Sequence, residues 1–248
     1  MTWALDLDGV MWRGADPIPG SAAAVQKLLD VGQDIVFVTN NSYHTKEAQA
    51  GKLRRFGVDA DGRIVSSAMA AATLISEGER VAVLGGPGII EAIEEQGGIA
   101  VTDGPADAVI VGLDKELSYS RLSVAVTAIL GGARFIATNT DATYPTESGL
   151  LPGAGPTVAA VTAATGTEPL IAGKPHQPQA DLVKKIFGTP GVMVGDRPET
   201  DGLFAERLGY QFGLVLTGVT QAHDFPITPE PDLVGDSLAD LVDKEFGV

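Results

Sequence analysis

The chain has 248 residues, 44% hydrophobic and 20% charged, a balance that excludes disorder, collagen and coiled coil as overall descriptions. It has no Cys, which rules out disulfides, zinc–thiolate sites and iron–sulfur clusters, and only three His, which makes a multi-His metal site a poor expectation. Lys plus Arg is 17 against 32 Asp plus Glu, and a net charge of −15 repels a phosphate polymer, so nucleic acid is not an expected partner.

The opening segment, MTWALDLDGV, has no basic region and meets two acids early, so a signal peptide is not expected. Apolar runs such as 108–113 fall far short of a bilayer, and the expected setting is cytoplasmic, with no membrane partner. Residues 2–7 predict a short strand ending in acids. Residues 21–29 predict a helix with Ser21 as N-cap and Gly32 beyond its end. The run 34–38 (DIVFV) predicts a buried strand, and 45–56 a helix stopped by Gly57. A minimal strand at 64–65 precedes an Ala-rich helix at 67–77. The alternation repeats, with strands at 81–84, 108–111 and 134–138 and helices at 89–96, 118–130 and 157–164. It resumes with strands at 170–172, 192–194, 212–216 and 233–234 and helices at 178–187 and 201–208. The Pro-rich 223–232 stretch reads as a loop. This rhythm predicts an α/β fold of parallel sheets covered by helices.

In such folds ligands bind at the carboxyl ends of the strands, and the unusual residues of this chain fall there. Asp6-Leu7-Asp8-Gly9 closes the first strand. Carboxylates two positions apart in extended chain lie ~6.5 Å apart on one side and repel by ~2.5 kcal/mol at an effective dielectric of about 20. A divalent cation would offset this; an ordinary Asp-Gly turn is the plain alternative. Thr39-Asn40-Asn41-Ser42 follows the second strand and either cradles an anion or is a polar loop. Gly173-Lys174-Pro175 sets a lysine at a strand end, where it either neutralises a phosphate oxygen or is solvated. Gly195-Asp196-Arg197-Pro198-Glu199-Thr200-Asp201 puts Asp196 where another carboxylate can reach the same metal. Asp201 either caps the next helix or orients Lys174 or a metal-bound water. Together, in this order, the four segments point to a metal-plus-phosphate site.

The motifs DLDGV, VTNNS, GKP and GDRPETD resemble the four motifs of the haloacid dehalogenase superfamily of phosphohydrolases. The text DLDGVMWRG…PIPG and the FIATNTD segment resemble its NagD-like, p-nitrophenylphosphatase-like branch, and the likeness runs over essentially the whole chain. The resemblance implies a Rossmann-like parallel-sheet core with an inserted α/β cap domain. It implies Asp6 as nucleophile, forming an aspartyl phosphate, and Asp8 as general acid and then base. It also implies Mg²⁺ held by the side chains of Asp6 and Asp196 and the backbone carbonyl of Asp8. Thr39, Asn40 and Lys174 would hold the phosphoryl group, Arg197 would touch substrate or fix the metal loop, and Gly9, Asn41 and Asp201 would support them. The second acid, Asp8, favours phosphate esters over carbon–halogen bonds, since an alkoxide needs a proton on leaving and a halide does not.

Thr39 and Lys174 are 135 residues apart, far more than the ~30 of a βαβ step, so the excess must form something extra. The expected division is core at 1–78, cap at 79–168 and core again at 169–248. The resemblance implies that the cap closes over the site and excludes water. It carries 4 basic and 11 acidic residues, so it is no clamp for a large anion, and a small phosphate ester is the expected partner. Asp141, after a strand, is a candidate for a substrate hydroxyl or amine, or an ordinary turn residue. The 153–156 segment (GAGP) either admits close backbone approach or simply opens a helix. Trp12 and Arg13 lie where the family has a mobile flap, or Trp12 is simply a packed surface residue, and His44, His176 and His223 read as loop or capping residues rather than ligands.

The expectation is therefore a Mg²⁺-dependent phosphatase of small monoesters, with glycerol 3-phosphate or 2-phosphoglycolate favoured. Nucleoside monophosphates and pyridoxal phosphate are the alternatives within the class. A non-catalytic phosphometabolite sensor is the alternative from another class. A homo-oligomer is left open.

Overall fold

The computed structural model describes residues 1–146, 149–188 and 190–247. Its larger sheet has six parallel strands in the order Leu233–Gly235, Gln211–Val215, Gly191–Gly195, Thr2–Leu5, Asp34–Thr39 and Ile64–Ser66. The strand period of two splits their side chains between two apolar layers. Trp3, Leu5 and Phe37 pack with Val25 and Leu28 of the Ser21–Asp30 helix, Leu53 of Lys46–Arg55, and Leu241 and Val242 of Leu238–Phe246. Ala4, Val36, Val38 and Met193 face the other way, onto Ala180 and Val183 of Gln177–Phe187 and Phe204 and Leu208 of Leu203–Leu208. Phe37 is fully buried, which is worth ~1.5–3 kcal/mol.

Chain order reverses at Thr2–Leu5, whose two neighbours are reached in opposite directions. That switch point opens a crevice at the carboxyl ends of Thr2–Leu5, Asp34–Thr39 and Gly191–Gly195.

A second sheet of five parallel strands runs Leu170–Ile171, Arg134–Ala137, Ala108–Val111, Arg80–Leu84 and Ile99–Val101. Val81, Ile110 and Ile136 cover one face with Ile89 and Ile93 of the Pro87–Glu95 helix. Val109, Val111 and Phe135 cover the other with Ile129 of Tyr119–Leu130 and Val161 of Ala154–Thr165. A two-stranded antiparallel ribbon, Thr143–Thr146 with Gly149–Pro152, belongs to neither sheet. Among the described residues no helix is long and apolar enough to cross a membrane.

Several local expectations shift. Ser21 is the first helical residue, not the cap: Gly20 precedes it at φ 83°, and the Ser21 hydroxyl donates to the Val10 carbonyl. The helix expected over 67–77 stops at Ala72, where the Thr73 hydroxyl bonds back to the Ala70 carbonyl. Its alanines pack against the second sheet's layer, although 67–72 fall in the part of the sequence assigned to the core. Leu170–Ile171, also assigned to the core, pairs with Arg134–Ala137 in the second sheet. The Ile99–Val101 strand, the ribbon and the Leu238–Phe246 helix are additions to the expected elements.

Candidate active site

Asp6 is the first residue past the Thr2–Leu5 strand, fixed by its N–H to the Val194 carbonyl at 2.9 Å. Lys174 follows the Leu170–Ile171 strand and is 4% exposed, yet its ammonium is satisfied by carboxylates. It lies 2.8 Å from Asp6 and 2.6 Å from Asp201. Burial opposes its charge, but the Asp201 and Asp6 charges win and hold the Lys174 pKa above its ordinary value.

Asp201 lies in a π-helical turn, Pro198–Gly202, just after the Gly191–Gly195 strand. It is fully buried and does not cap the next helix. One carboxylate oxygen takes the Lys174 ammonium; the other takes the N–H groups of Asp196, at 3.2 Å, and Arg197, at 3.1 Å. Of the two sequence readings of Asp201, the geometry is that of orienting Lys174.

Carboxylate oxygens of Asp6, Asp196 and Asp201 all lie within 4.8 Å of one another. Burial, then the Asp201 charge, pushes the Asp196 pKa up to about 7. Burial likewise raises Asp6 well above the usual carboxylate range, against the pull of Lys174. Asp196 Oδ2 accepts the Val219 N–H at 2.6 Å. Two glycines close over this carboxylate: a Cβ on Gly9 would meet Asp196 Cγ at 2.5 Å, and one on Gly218 would meet Oδ2 at 1.8 Å. Gly9 also needs its φ of 86°.

Asp8 lines the same cleft, but its carboxylate stands apart from that cluster and accepts the Trp12 indole N–H at 2.8 Å. Thr39 is buried at its strand end and its hydroxyl accepts the Asn41 N–H at 3.0 Å. The Asn41 side chain accepts the N–H groups of Tyr43 and His44, so it shapes the loop. The Arg197 side chain lines the cleft, and its carbonyl accepts the Asp201 N–H.

Asn40 ties the two sheets together. Its amide donates to both Asp141 carboxylate oxygens at 3.2 Å and to the Lys174 carbonyl at 3.1 Å, while its Oδ1 accepts the Lys174 N–H at 2.9 Å. Its backbone carbonyl accepts the Asn139 amide at 2.7 Å. Burial raises the Asp141 pKa, and the Asn40 bond partly offsets this. Core loops, the second sheet's loops and the ribbon enclose a cleft of about 1450 Å³.

Two contributors carried no motif signal. Gln179, fully buried, accepts the Lys174 N–H and donates to the Thr39 and Val65 carbonyls, binding two strand ends to one helix. Its sequence cue is a Gln on the apolar side of a helix that also buries Ala180 and Val183. The Gly218-Val219 pair lies beyond the Gln211–Val215 strand, at one more strand end of the core sheet.

A parallel-sheet α/β enzyme with an acid–lysine cluster at its switch point is the class that fold and site define. Residues 3–99 match the haloacid dehalogenase-like hydrolase family and residues 171–241 the HAD-hydrolase-like family. The 5'-nucleotidase YutF of Bacillus subtilis is 37% identical, covering 97% of this chain and 96% of that protein. The p-nitrophenyl phosphatase of Archaeoglobus fulgidus superposes with a TM-score of 0.92 at 31% identity over 98% of each chain. A glycerol phosphate phosphatase from Mycobacterium tuberculosis, solved with magnesium, superposes at 0.89 with 33% identity over 97% of this chain and 76% of that one. The chain belongs to the haloacid dehalogenase-like hydrolase family, in its NagD-like, p-nitrophenylphosphatase-like branch.

Proposed function

We propose that the chain is a Mg²⁺-dependent phosphatase of small phosphate monoesters. The observation that carries this is the buried Lys174 ammonium between Asp6 and Asp201, with the Asp196 carboxyl in the same cluster.

Asp6 attacks phosphorus, the bond from phosphorus to the ester oxygen breaks, and Asp8 gives that oxygen its proton. Asp8 then takes a proton from water, the hydroxide attacks phosphorus, and the bond to Asp6 breaks to release inorganic phosphate. Lys174, Thr39 and the Asn40 backbone position the transferring group and spread its charge. Arg197, which lines the cleft, touches the substrate or fixes the metal loop. Asn40 and Asp141 hold the second sheet against the core, and Asp141 is also within reach of a leaving group. Residues 79–168, joined by the Ser67–Ala72 helix and the Leu170–Ile171 strand that pack and pair with them, act as the cap, excluding water.

The donor set fits Mg²⁺. Asp6 and Asp196 offer hard oxygens, and both carboxyls are pushed up by burial and neighbouring acids, a cost that a cation relieves. Asp6 and Asp196, with the Asp8 carbonyl, would hold the ion, while Asp201 is already occupied by Lys174 and two N–H groups. When bound, the ion neutralises phosphoryl oxygens in the transition state.

Glycerol 3-phosphate and 2-phosphoglycolate are the favoured substrates, and the 5'-nucleotidase relative makes nucleoside monophosphates the alternative. The test is phosphate release from these esters and from p-nitrophenyl phosphate, with Mg²⁺ and with EDTA. Metal-dependent release supports the reading. Tight ester binding with no release favours the sensor instead.

A further inference from the structure

We infer that the leaving-group side of the cleft is a second anion site formed by Lys52 and Lys115, and that the preferred ester carries another negative charge on its alcohol portion. This rests on the phosphatase reading and narrows its substrate.

Lys52 and Lys115 reach the cleft from different places. Lys52 lies on the Lys46–Arg55 helix of the core, and Lys115 follows the Ala108–Val111 strand of the second sheet. The Lys52 ammonium sits 3.8 Å from the Trp12 ring centroid and donates to the Gly14 carbonyl at 2.7 Å. The same Trp12 donates to Asp8. One indole therefore separates Lys52 from the proposed proton donor.

Lys115 is held between aromatic faces, 4.5 Å from the Tyr43 ring and 5.9 Å from that of Tyr144 on the ribbon. Tyr43 in turn packs edge-on against His44, at 5.3 Å. Burial lowers the His44 pKa, and the charges of Lys115 and Lys52 lower it further, so both lysines act on one ring.

Among the described residues neither lysine has a carboxylate within ion-pair distance, in a chain with 32 acids. Aromatic faces and a carbonyl orient them without neutralising them. On the Asp6 side the cation Lys174 is already matched by two acids. Lys52 and Lys115 thus put two cations without ion-pair partners at the cleft, with Asp8 the nearby acid whose charge reaches Lys52. A carboxylate or a second phosphate on the leaving group could pair with either ammonium.

The experiment compares kcat/KM for pairs of esters that differ in that charge. The pairs are 2-phosphoglycolate against 2-hydroxyethyl phosphate, and 3-phosphoglycerate against glycerol 3-phosphate; 1,3-propanediol bisphosphate supplies the second-phosphate arm. The pairs are run on the wild type, Lys115→Gln and Lys52→Met, each with Mg²⁺. Taking ratios within one preparation cancels any loss of folded enzyme.

The expected wild-type preference for the charged member is about tenfold, or ~1.4 kcal/mol, falling towards unity in both variants. Whether the carboxylates or the bisphosphate gain most identifies the anion. Equal kcat/KM for charged and neutral members overturns the inference, as does a preference that neither substitution moves. If p-nitrophenyl phosphate is hydrolysed while the ratios stay at unity, the second anion site fails and the phosphatase reading stands. If no ester is hydrolysed, both fall.

Discussion

The Lys174 ammonium lies 2.6 Å from Asp201, both of them buried, and Asp201 in turn receives the backbone N–H groups of Asp196 and Arg197. One carboxylate thereby sets the height of the lysine and the path of the loop that carries Asp196. Replacing it with Asp201→Ala leaves a buried cation with a single partner and frees two N–H groups. Removing one member of a buried pair costs ~3–5 kcal/mol. The expected result is an unfolding free energy from urea titration lowered by about that amount and a fall of about 10²-fold or more in kcat/KM. A variant with unchanged stability and turnover would show that Asp201 anchors nothing.

In the proposed mechanism Asp6 and Asp8 divide the chemistry; of the two, Asp6 touches Lys174 and Asp8 touches Trp12. An amide at position 6 keeps the shape of the site but cannot form an acyl phosphate. Asp6→Asn is expected to lose at least about 10⁴-fold in kcat, while vanadate still protects the fold against heat. Asp8→Asn is expected to slow esters with poor leaving groups, such as glycerol 3-phosphate, far more than p-nitrophenyl phosphate, whose phenolate leaves with little need of a proton. Equal losses on both esters would remove Asp8 from the proton-transfer role.

The parts legible in the sequence are those whose signal is local. Buried parallel strands are short apolar runs, and Ala108–Val111 lies where its composition puts it. Acids and a lysine directly after such runs mark a strand-end site, which is why Asp6, Asp196 and Lys174 could be named. What was hidden depends on distant contacts. Gln179 matters through Lys174, Thr39 and Val65, and only the last two are neighbours on paired strands. The ribbon escaped because Pro145 sits inside one strand and Pro152 ends the other, a demotion that an isolated pair away from the sheets tolerates. The 67–72 helix ends early because a threonine hydroxyl competes for a carbonyl, a choice its Ala-rich sequence does not reveal.

Gly218 shows how a loop without motif signal can control the metal side. Its backbone lies so close to Asp196 that a Cβ would fall 1.8 Å from Oδ2, the oxygen that the next residue's N–H holds. Gly218→Ala must push the loop or the carboxylate aside. Activity at saturating Mg²⁺ is expected to fall about tenfold or more, since a misplacement of about 1 Å can cost 10²-fold, and the Mg²⁺ needed for half-maximal activity is expected to rise. Val219→Ala keeps the N–H and is the control. Should Gly218→Ala match the wild type in both quantities, the close packing has no bearing on the ion.

The charge state of the acid cluster links stability to pH. In the metal-free protein Asp196 titrates at about 7, against an ordinary value of 3.8, because burial and the Asp201 charge disfavour its anion. The folded state therefore binds more protons than the unfolded chain between those values, so this group's contribution to stability declines as pH rises through that window. The raised pKa of Asp6 acts in the same direction. Lys174, also raised, keeps its proton throughout and does not reverse the trend. The metal-free protein is expected to melt at a lower temperature at pH 8 than at pH 5.5. Bound Mg²⁺ needs both carboxylates ionised, so its affinity should rise with pH towards 8 and its stabilising effect should be largest where the metal-free protein is weakest. Scanning calorimetry with EDTA and with Mg²⁺ at both pH values checks this. A substitution that removes one titrating group, Asp196→Asn, is expected to reduce the metal-free pH dependence to the part that Asp6 contributes and to abolish the Mg²⁺ shift. If Asp196→Asn leaves both intact, the pH response comes from another group and the ion binds elsewhere.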